Sequence, residues 1–151
     1  MNRWTSKAQV NATPEQLLEV LTHPEQIRRW SPVDFSLDDL DSRRLAAGTR
    51  TRVTGRLAGV PVSFCVAVHA ADSSRLEISA DGPIGLDVRY DLAPADGGAE
   101  MTASVLVRSG GGLTGRVVAK AATTLLSDGA LEGATGRITA TAEAQPYAVA
   151  A

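Results

Sequence analysis

The chain has 151 residues, 44% of them hydrophobic but only 4% aromatic, with a formal charge of -2 and a pI near 5.6. That length buries one core without disulfide or metal staples, and the charge argues against nucleic acid or an anionic membrane surface as the main partner. The core has to be built from Val, Leu, Ile and Ala. Residues 3–11 open with strand alternation: Trp4, Ser6, Ala8 and Val10 share one face, Thr5, Lys7, Gln9 and Asn11 the other. Two short helices follow in TPEQLLEVLTHPEQIRRWSP (13–32). Thr13 caps the first, Pro14 takes the position where a missing N–H costs nothing, and Gln16 completes a capping-box spacing. Leu17, Leu18 and Leu21 make its inward stripe. The same pattern repeats at His23, Pro24 and Gln26, and predicts a second box.

Strand signals then persist. Val33, Phe35 and Leu37 alternate with Asp34, Ser36 and Asp38; Thr51, Val53 and Leu57 alternate with Arg50, Arg52, Thr54 and Arg56. Val60, Val62, Phe64, Val66 and Val68 share a face. Asp72-Ser73-Ser74 reads as a turn, Leu76, Ile78 and Ala80 resume the rhythm, and DGPIG (81–85) is another turn. Leu86, Val88, Tyr90 and Leu92 alternate with charged residues, Pro94–Gly98 is a hairpin loop, and Met101, Ala103, Val105 and Val107 close the series. Short connections make the sheet antiparallel, and its apolar face needs a cover.

The cover is a long helix over 112–143, with Leu113, Val117, Ala121, Leu125 and Leu126 at helical spacing. Gly110-Gly111-Gly112 leads into it. Gly129, Gly133 and Gly136 weaken its second half by about 1 kcal/mol each relative to Ala, and let a helix approach a sheet closely. Whether the helix kinks there stays open. Residues 1–143 read as one domain and 144–151 as a frayed tail. The expected fold is α+β: a seven-stranded curved antiparallel sheet wrapping a long C-terminal helix, with two short helices after strand 1, a helix-grip arrangement.

The segment HPEQIRRWSP resembles the DPxxxxxW segment of the SRPBCC superfamily, also called START-like or Bet v 1-like. NATPEQLLEVLTHPEQIRRW is similar to the opening of its bacterial polyketide cyclase/dehydrase and lipid-transport branch, and GGLTGRVVAKAATTLL resembles the glycine-led start of the C-terminal helix in that branch. The resemblance runs over nearly the whole chain. It implies a hydrophobic ligand held between sheet and helix. His23 stands where the family often has Asp, and His is a poorer cap.

The residues that carry chemistry elsewhere read here as structural. His23 sits at a helix start and His69 on the outer face; neither has a second ligand at metal spacing, so no metal or other cofactor is expected. Cys65 is also outward, and as the single cysteine it excludes an internal disulfide and fits a reducing compartment. The first ten residues are too polar for a signal peptide's apolar segment, and no apolar run is long enough for a bilayer. A cytoplasmic location is therefore expected. Asp34, Asp38, Asp39 and Asp41 read as a solvated edge that discourages aggregation. Arg50, Arg52 and Arg56, with Arg28 and Arg29 nearby, read as a solvated basic face. The glycine run with Gly115-Arg116 lacks the Lys-Ser/Thr of a phosphate loop.

The inward apolar set is the most informative functional feature. Phe35, Val53, Phe64, Val66, Val88, Tyr90, Met101 and Val105, with Ala121 and Leu125 from the helix, are the candidates to line a cavity. The same residue types would also fill a solid core. Many Val and Ala and few aromatics leave room for a small ligand, which Tyr90 would orient. The leading expectation is a carrier of a lipid, polyketide or aromatic metabolite. A polyketide cyclase/dehydratase would need an inward acid–base group, and strand phase offers few: Tyr90, with Ser79 or Thr51 if a bulge shifts register. A partner-binding regulatory protein using the Arg50/Arg52/Arg56 face is the third reading. Ligand identity, turnover and oligomeric state are not written in these patterns.

Overall fold

The computed structural model describes residues 2–30, 35–37, 45–57, 59–108 and 112–144. Val33, the aspartates at 34, 38, 39 and 41, Gly110, Gly111 and the tail from residue 145 lie outside them. The chain runs β1 (Asn2–Val10), α1 (Pro14–Thr22), α2 (Pro24–Trp30), β2 (Phe35–Leu37), β3 (Arg50–Leu57), β4 (Val60–Asp72), β5 (Arg75–Asp81), β6 (Gly85–Ala95), β7 (Gly98–Arg108), α3 (Gly112–Ser127) and α4 (Ala130–Glu143).

The strands form one antiparallel sheet in the order β1-β7-β6-β5-β4-β3-β2. The first and last strands of the chain pair, Asn2 opposite Val107 through Val10 opposite Ala99. The other neighbours are successive in sequence. Alternation sets the faces: Ala99, Met101, Ala103, Val105 and Val107 are buried along β7, with half-buried residues between them. A bulge in β4 between Val68 and Ala70 shifts the register against β5, so Val68 and Ala71 both join the apolar side. At the β6–β7 turn, a Cβ on Gly98 would collide with the Val10 carbonyl oxygen; glycine lets this hairpin close against the end of β1.

The capping box of α1 forms as its spacing dictates. Gln16 N–H donates to Thr13 Oγ1 at 3.1 Å, and Thr13 N–H donates to Gln16 Oε1 at 2.8 Å. Leu17, Val20 and Leu21 are fully buried beneath it, each contributing about 1.5–3 kcal/mol of apolar burial. The predicted second box does not form. His23 closes α1, its N–H donating to the Glu19 carbonyl, while His23 Nδ1 and Gln26 Oε1 are buried without hydrogen-bond partners among the described residues. A ring nitrogen at this position does not reproduce the short oxygen of an Asp, Ser or Thr cap.

The expected single C-terminal helix is two helices. Gly129 takes a left-handed φ of +96° at the N-cap of α4, and Asp128-Gly129 forms a turn between α3 and α4. A left-handed residue ends an α-helical ladder, and glycine does so without a Cβ penalty. The two helices do different work. Helix α4 packs on β1, α1 and α2, burying Leu131, Ala134, Thr135, Ile138 and Ala142. Ser6 and Thr135 share a buried hydroxyl–hydroxyl bond of 3.0 Å, and Asn11 N–H donates to Glu143 Oε2 at 2.9 Å. Thr135 meets the sheet directly at Ser6 of β1. Gly133 is half-buried and Gly136 exposed, so neither glycine provides the expected close approach.

Helix α3 reaches over β3 and β7 instead. It buries Gly115, Val118 and Ala122, while Leu113 is 78% and Val117 46% exposed. The predicted 113–117–121 stripe is therefore offset from the buried one. Val117-Val118, Ala121-Ala122 and Leu125-Leu126 offer apolar residues to two adjacent faces, so periodicity alone selects either. Among the described residues, no helix is long and apolar enough to cross a membrane.

Candidate ligand cavity

Between the sheet and the helices lies a cavity of about 350 Å³, within the range that receives small organic ligands. Its floor is the apolar face of five strands: Thr51 and Val53 of β3, Val66 of β4, Leu76 and Ile78 of β5, Leu86, Val88 and Tyr90 of β6, and Val105 of β7. Leu21, Ile27 and Trp30 close one side from α1 and α2, with Leu45 beside them. The roof comes from both sides of the helix break, Ala122, Leu125 and Leu126 from α3 and Ala130, Leu131 and Ala134 from α4. The turn at Gly129 thus lies between the roof residues of the two helices.

Of the sequence candidates, Val53, Val66, Val88, Tyr90, Val105 and Leu125 border this space. Ala121 does not; its neighbour Ala122 does, because the buried stripe of α3 runs through Val118 and Ala122. Phe64 and Met101 are buried on the expected face but are not among the lining residues. Phe64 stands opposite the lining Val53 and packs against Gly82, and Met101 sits between Ala8 of β1 and Leu92 of β6. Strand phase assigns a face, but the packing of neighbouring elements decides which residues of that face border the cavity. The Phe35 side chain lies outside the described residues.

Sequence reasoning missed the helical wall: Leu21 reads only as part of the inward stripe of the first helix, Ile27 and Trp30 are not among the cavity candidates, and Leu131 and Ala134 lie beyond the stripe assigned to the cover. Leu131, Ala134 and Ile138 recur at helical spacing and are the available signal.

Trp30 ties this wall together. Its indole Nε1–H donates to the Val20 carbonyl at 2.9 Å, and its own carbonyl accepts from Arg137 Nε at 3.0 Å. Its ring meets Tyr90 edge-on. Tyr90 is 4% exposed, and burial pushes its phenol well above the usual tyrosine range. At neutral pH it is an uncharged hydroxyl, able to donate or accept a hydrogen bond but not poised as a base. The other hydroxyl of the lining belongs to Thr51, which faces in without any shift of register in β3. Among the described lining residues there is no charged side chain, histidine or cysteine.

The remaining polar candidates lie elsewhere. His69 Nε2 and Ser79 Oγ are 2.7 Å apart in an exposed pair on the outer face, so the β4 bulge does not bring Ser79 inward. Cys65 is free and exposed. Arg50, Arg52 and Arg56 are exposed on the outer side of β3. Arg108 of β7 forms ion pairs with Asp81 of β5 at 3.0 Å and Asp87 of β6 at 3.1 Å. No cluster of His, Cys, Asp or Glu suited to a metal occurs among the described residues.

The family model for polyketide cyclase / dehydrase and lipid transport matches residues 1–143. The chain belongs to this family. No curated protein sequence matches it significantly. Solved structures agree in fold. A Chromobacterium violaceum protein, CV1439, is 14% identical with a TM-score of 0.69, over 96% of this chain and 100% of its own. A Rhodobacter sphaeroides protein is 22% identical with a TM-score of 0.64, over 95% and 93%. Ara h 8.0201, a Bet v 1-like protein, is 15% identical with a TM-score of 0.57, over 91% and 97%. These likenesses establish the α+β fold of the family member and leave its ligand to the cavity.

Proposed function

We propose that this protein binds a small hydrophobic or amphipathic molecule, such as a lipid, polyketide or aromatic metabolite, between the sheet and the α3–α4 roof. The observation that carries this reading is an apolar cavity of about 350 Å³ whose described lining offers hydroxyls but no acid–base side chain. Affinity comes mainly from burying apolar ligand surface, at roughly 25 cal/mol per Å² before the costs of association. Tyr90, Val53, Val66, Val88, Val105 and Leu125 are the proposed contacts. Residues 1–143 act as one helix-grip domain working in the cytoplasm, with no cofactor.

The family's description also names cyclisation and dehydration. Either would need a side chain that moves a proton at the cavity, and a phenol held neutral by burial serves poorly as a base. Carriage therefore stands ahead of turnover. Native mass spectrometry of the purified protein tests the reading directly, together with titration by the neutral fluorophore N-phenyl-1-naphthylamine. A co-purifying apolar molecule, or saturable fluorescence enhancement, is the expected result. A protein that carries no small molecule and leaves the fluorophore dark would refute it.

A further inference from the structure

Thr51 is 6% exposed, lines the cavity, and has a side-chain oxygen that is buried without a hydrogen-bond partner among the described residues. Such groups are uncommon in native proteins, because a buried hydroxyl left unpaired loses its bonds to water and gains nothing in return. Valine would fill the same volume in β3 without that cost, as it does two residues on at Val53. The oxygen is thus a structural loss unless something else bonds it.

Its place in the sheet says where that partner lies. Thr51 stands opposite Val66, Val66 opposite Ala80, and Ala80 opposite Leu86. Tyr90 is four residues further along the same strand as Leu86, so the two lining hydroxyls are well separated on the floor, one on β3 and the other on β6. Between them the described lining is aliphatic.

We infer that Thr51 is the polar recognition point for the ligand, holding an uncharged oxygen function, an alcohol, phenol or ketone, on an otherwise apolar molecule. This rests on the carrier reading above. A hydroxyl both donates and accepts, so it serves a ligand hydroxyl or carbonyl equally. One 120° step between staggered χ1 positions moves Oγ1 into the place of Cγ2 or of Hβ, so a covered oxygen can turn toward the cavity without any backbone change. A carboxylate would be selected against, because no cationic side chain of the described lining meets it and a buried unpaired charge is costly.

Three ligands of one shape make the test: naphthalene, 2-naphthol and 2-naphthoate, titrated at neutral pH against the full chain, Thr51→Val and Thr51→Ser. The wild type should bind 2-naphthol about tenfold more tightly than naphthalene, the worth of one good hydrogen bond, and 2-naphthoate more weakly than either. Thr51→Val should abolish the 2-naphthol advantage while naphthalene binding, which reports an intact cavity, is unchanged. Thr51→Ser should restore it. Equal binding of naphthalene and 2-naphthol by the wild type, or an advantage that survives in Thr51→Val, overturns the inference and leaves the carrier reading standing. Failure of all three ligands to bind the wild type removes the carrier reading, and this inference with it.

Discussion

The Trp30 ring meets Tyr90 edge-on, with centroids 6.1 Å apart and planes inclined at 74°. The contact joins the end of α2 to the middle of the sheet at the cavity wall. Trp30 is 9% exposed and its indole N–H is bonded, so it is both packed and polar-satisfied. Trp30→Ala should cost about 3–5 kcal/mol. Trp30→Phe keeps most of the apolar contact but leaves the Val20 carbonyl without its indole donor, and should cost about 1–3 kcal/mol. Urea denaturation measures both; a loss under about 1 kcal/mol for the alanine variant would contradict this role.

Burial raises the Tyr90 phenol above its ordinary value of 10.0. The folded state therefore holds this proton more tightly than the unfolded chain does. The stability linked to it is fully present below the unfolded value, and erodes above about pH 10 as the unfolded chain ionises first. In an alkaline titration of tyrosinate absorbance, Tyr90 should ionise only above the range of an ordinary phenol, together with unfolding. Tyr90→Phe should lack this delayed step. A wild-type titration that is complete near pH 10 would count against a sealed Tyr90.

Filling the cavity separates an open site from a solid core. Ala122 borders the space and Ala121 does not. Ala122→Phe should abolish N-phenyl-1-naphthylamine binding with stability largely kept, whereas Ala121→Phe should leave binding near wild type. If the space were closed core, Ala122→Phe would overpack it and cost roughly 1–3 kcal/mol or more. Fluorescence titration alongside thermal unfolding distinguishes these outcomes.

Two glycines of the C-terminal region should respond to alanine with opposite sign. A Cβ on Gly129 would stand 3.8 Å from Glu132 Oε1, an ordinary contact, but its φ of +96° is one that L-residues rarely adopt. Gly129→Ala should destabilise by about 1–2 kcal/mol through backbone strain. Gly136 lies inside α4, with open space where an alanine methyl would point. Gly136→Ala should stabilise by about 1 kcal/mol. Changes of the same sign in thermal melts would show that the α3–α4 break is not held by Gly129.

Much of the architecture is legible in the sequence because it depends on neighbours within a few residues. The Thr13–Gln16 box, the strand alternation from Arg50 to Arg108 and the turn at Asp72–Ser74 are local patterns. In that turn Ser74 N–H and Oγ–H and Arg75 N–H all donate to Asp72 Oδ1. The inward direction of Val53, Val66, Val88, Tyr90 and Val105 follows from strand phase alone, and so does the outward direction of Cys65 and His69.

The sequence by itself therefore determined an antiparallel sheet with one apolar face, two short helices after the first strand and a helical cover. Tertiary structure decided the rest. It chose the 118–122 stripe of α3 over the 113–117–121 stripe, since both are apolar and only the opposing sheet tells them apart. It broke the cover at Gly129, where a glycine permits but does not require a left-handed turn. It left Phe64 and Met101 out of the cavity lining while placing Val66 and Val105 in it, a difference for which residues of the same phase carry no signal. And it left the Thr51 hydroxyl without a partner among the described residues, which depends on the atoms that long-range packing brings around it and not on any neighbour in the chain.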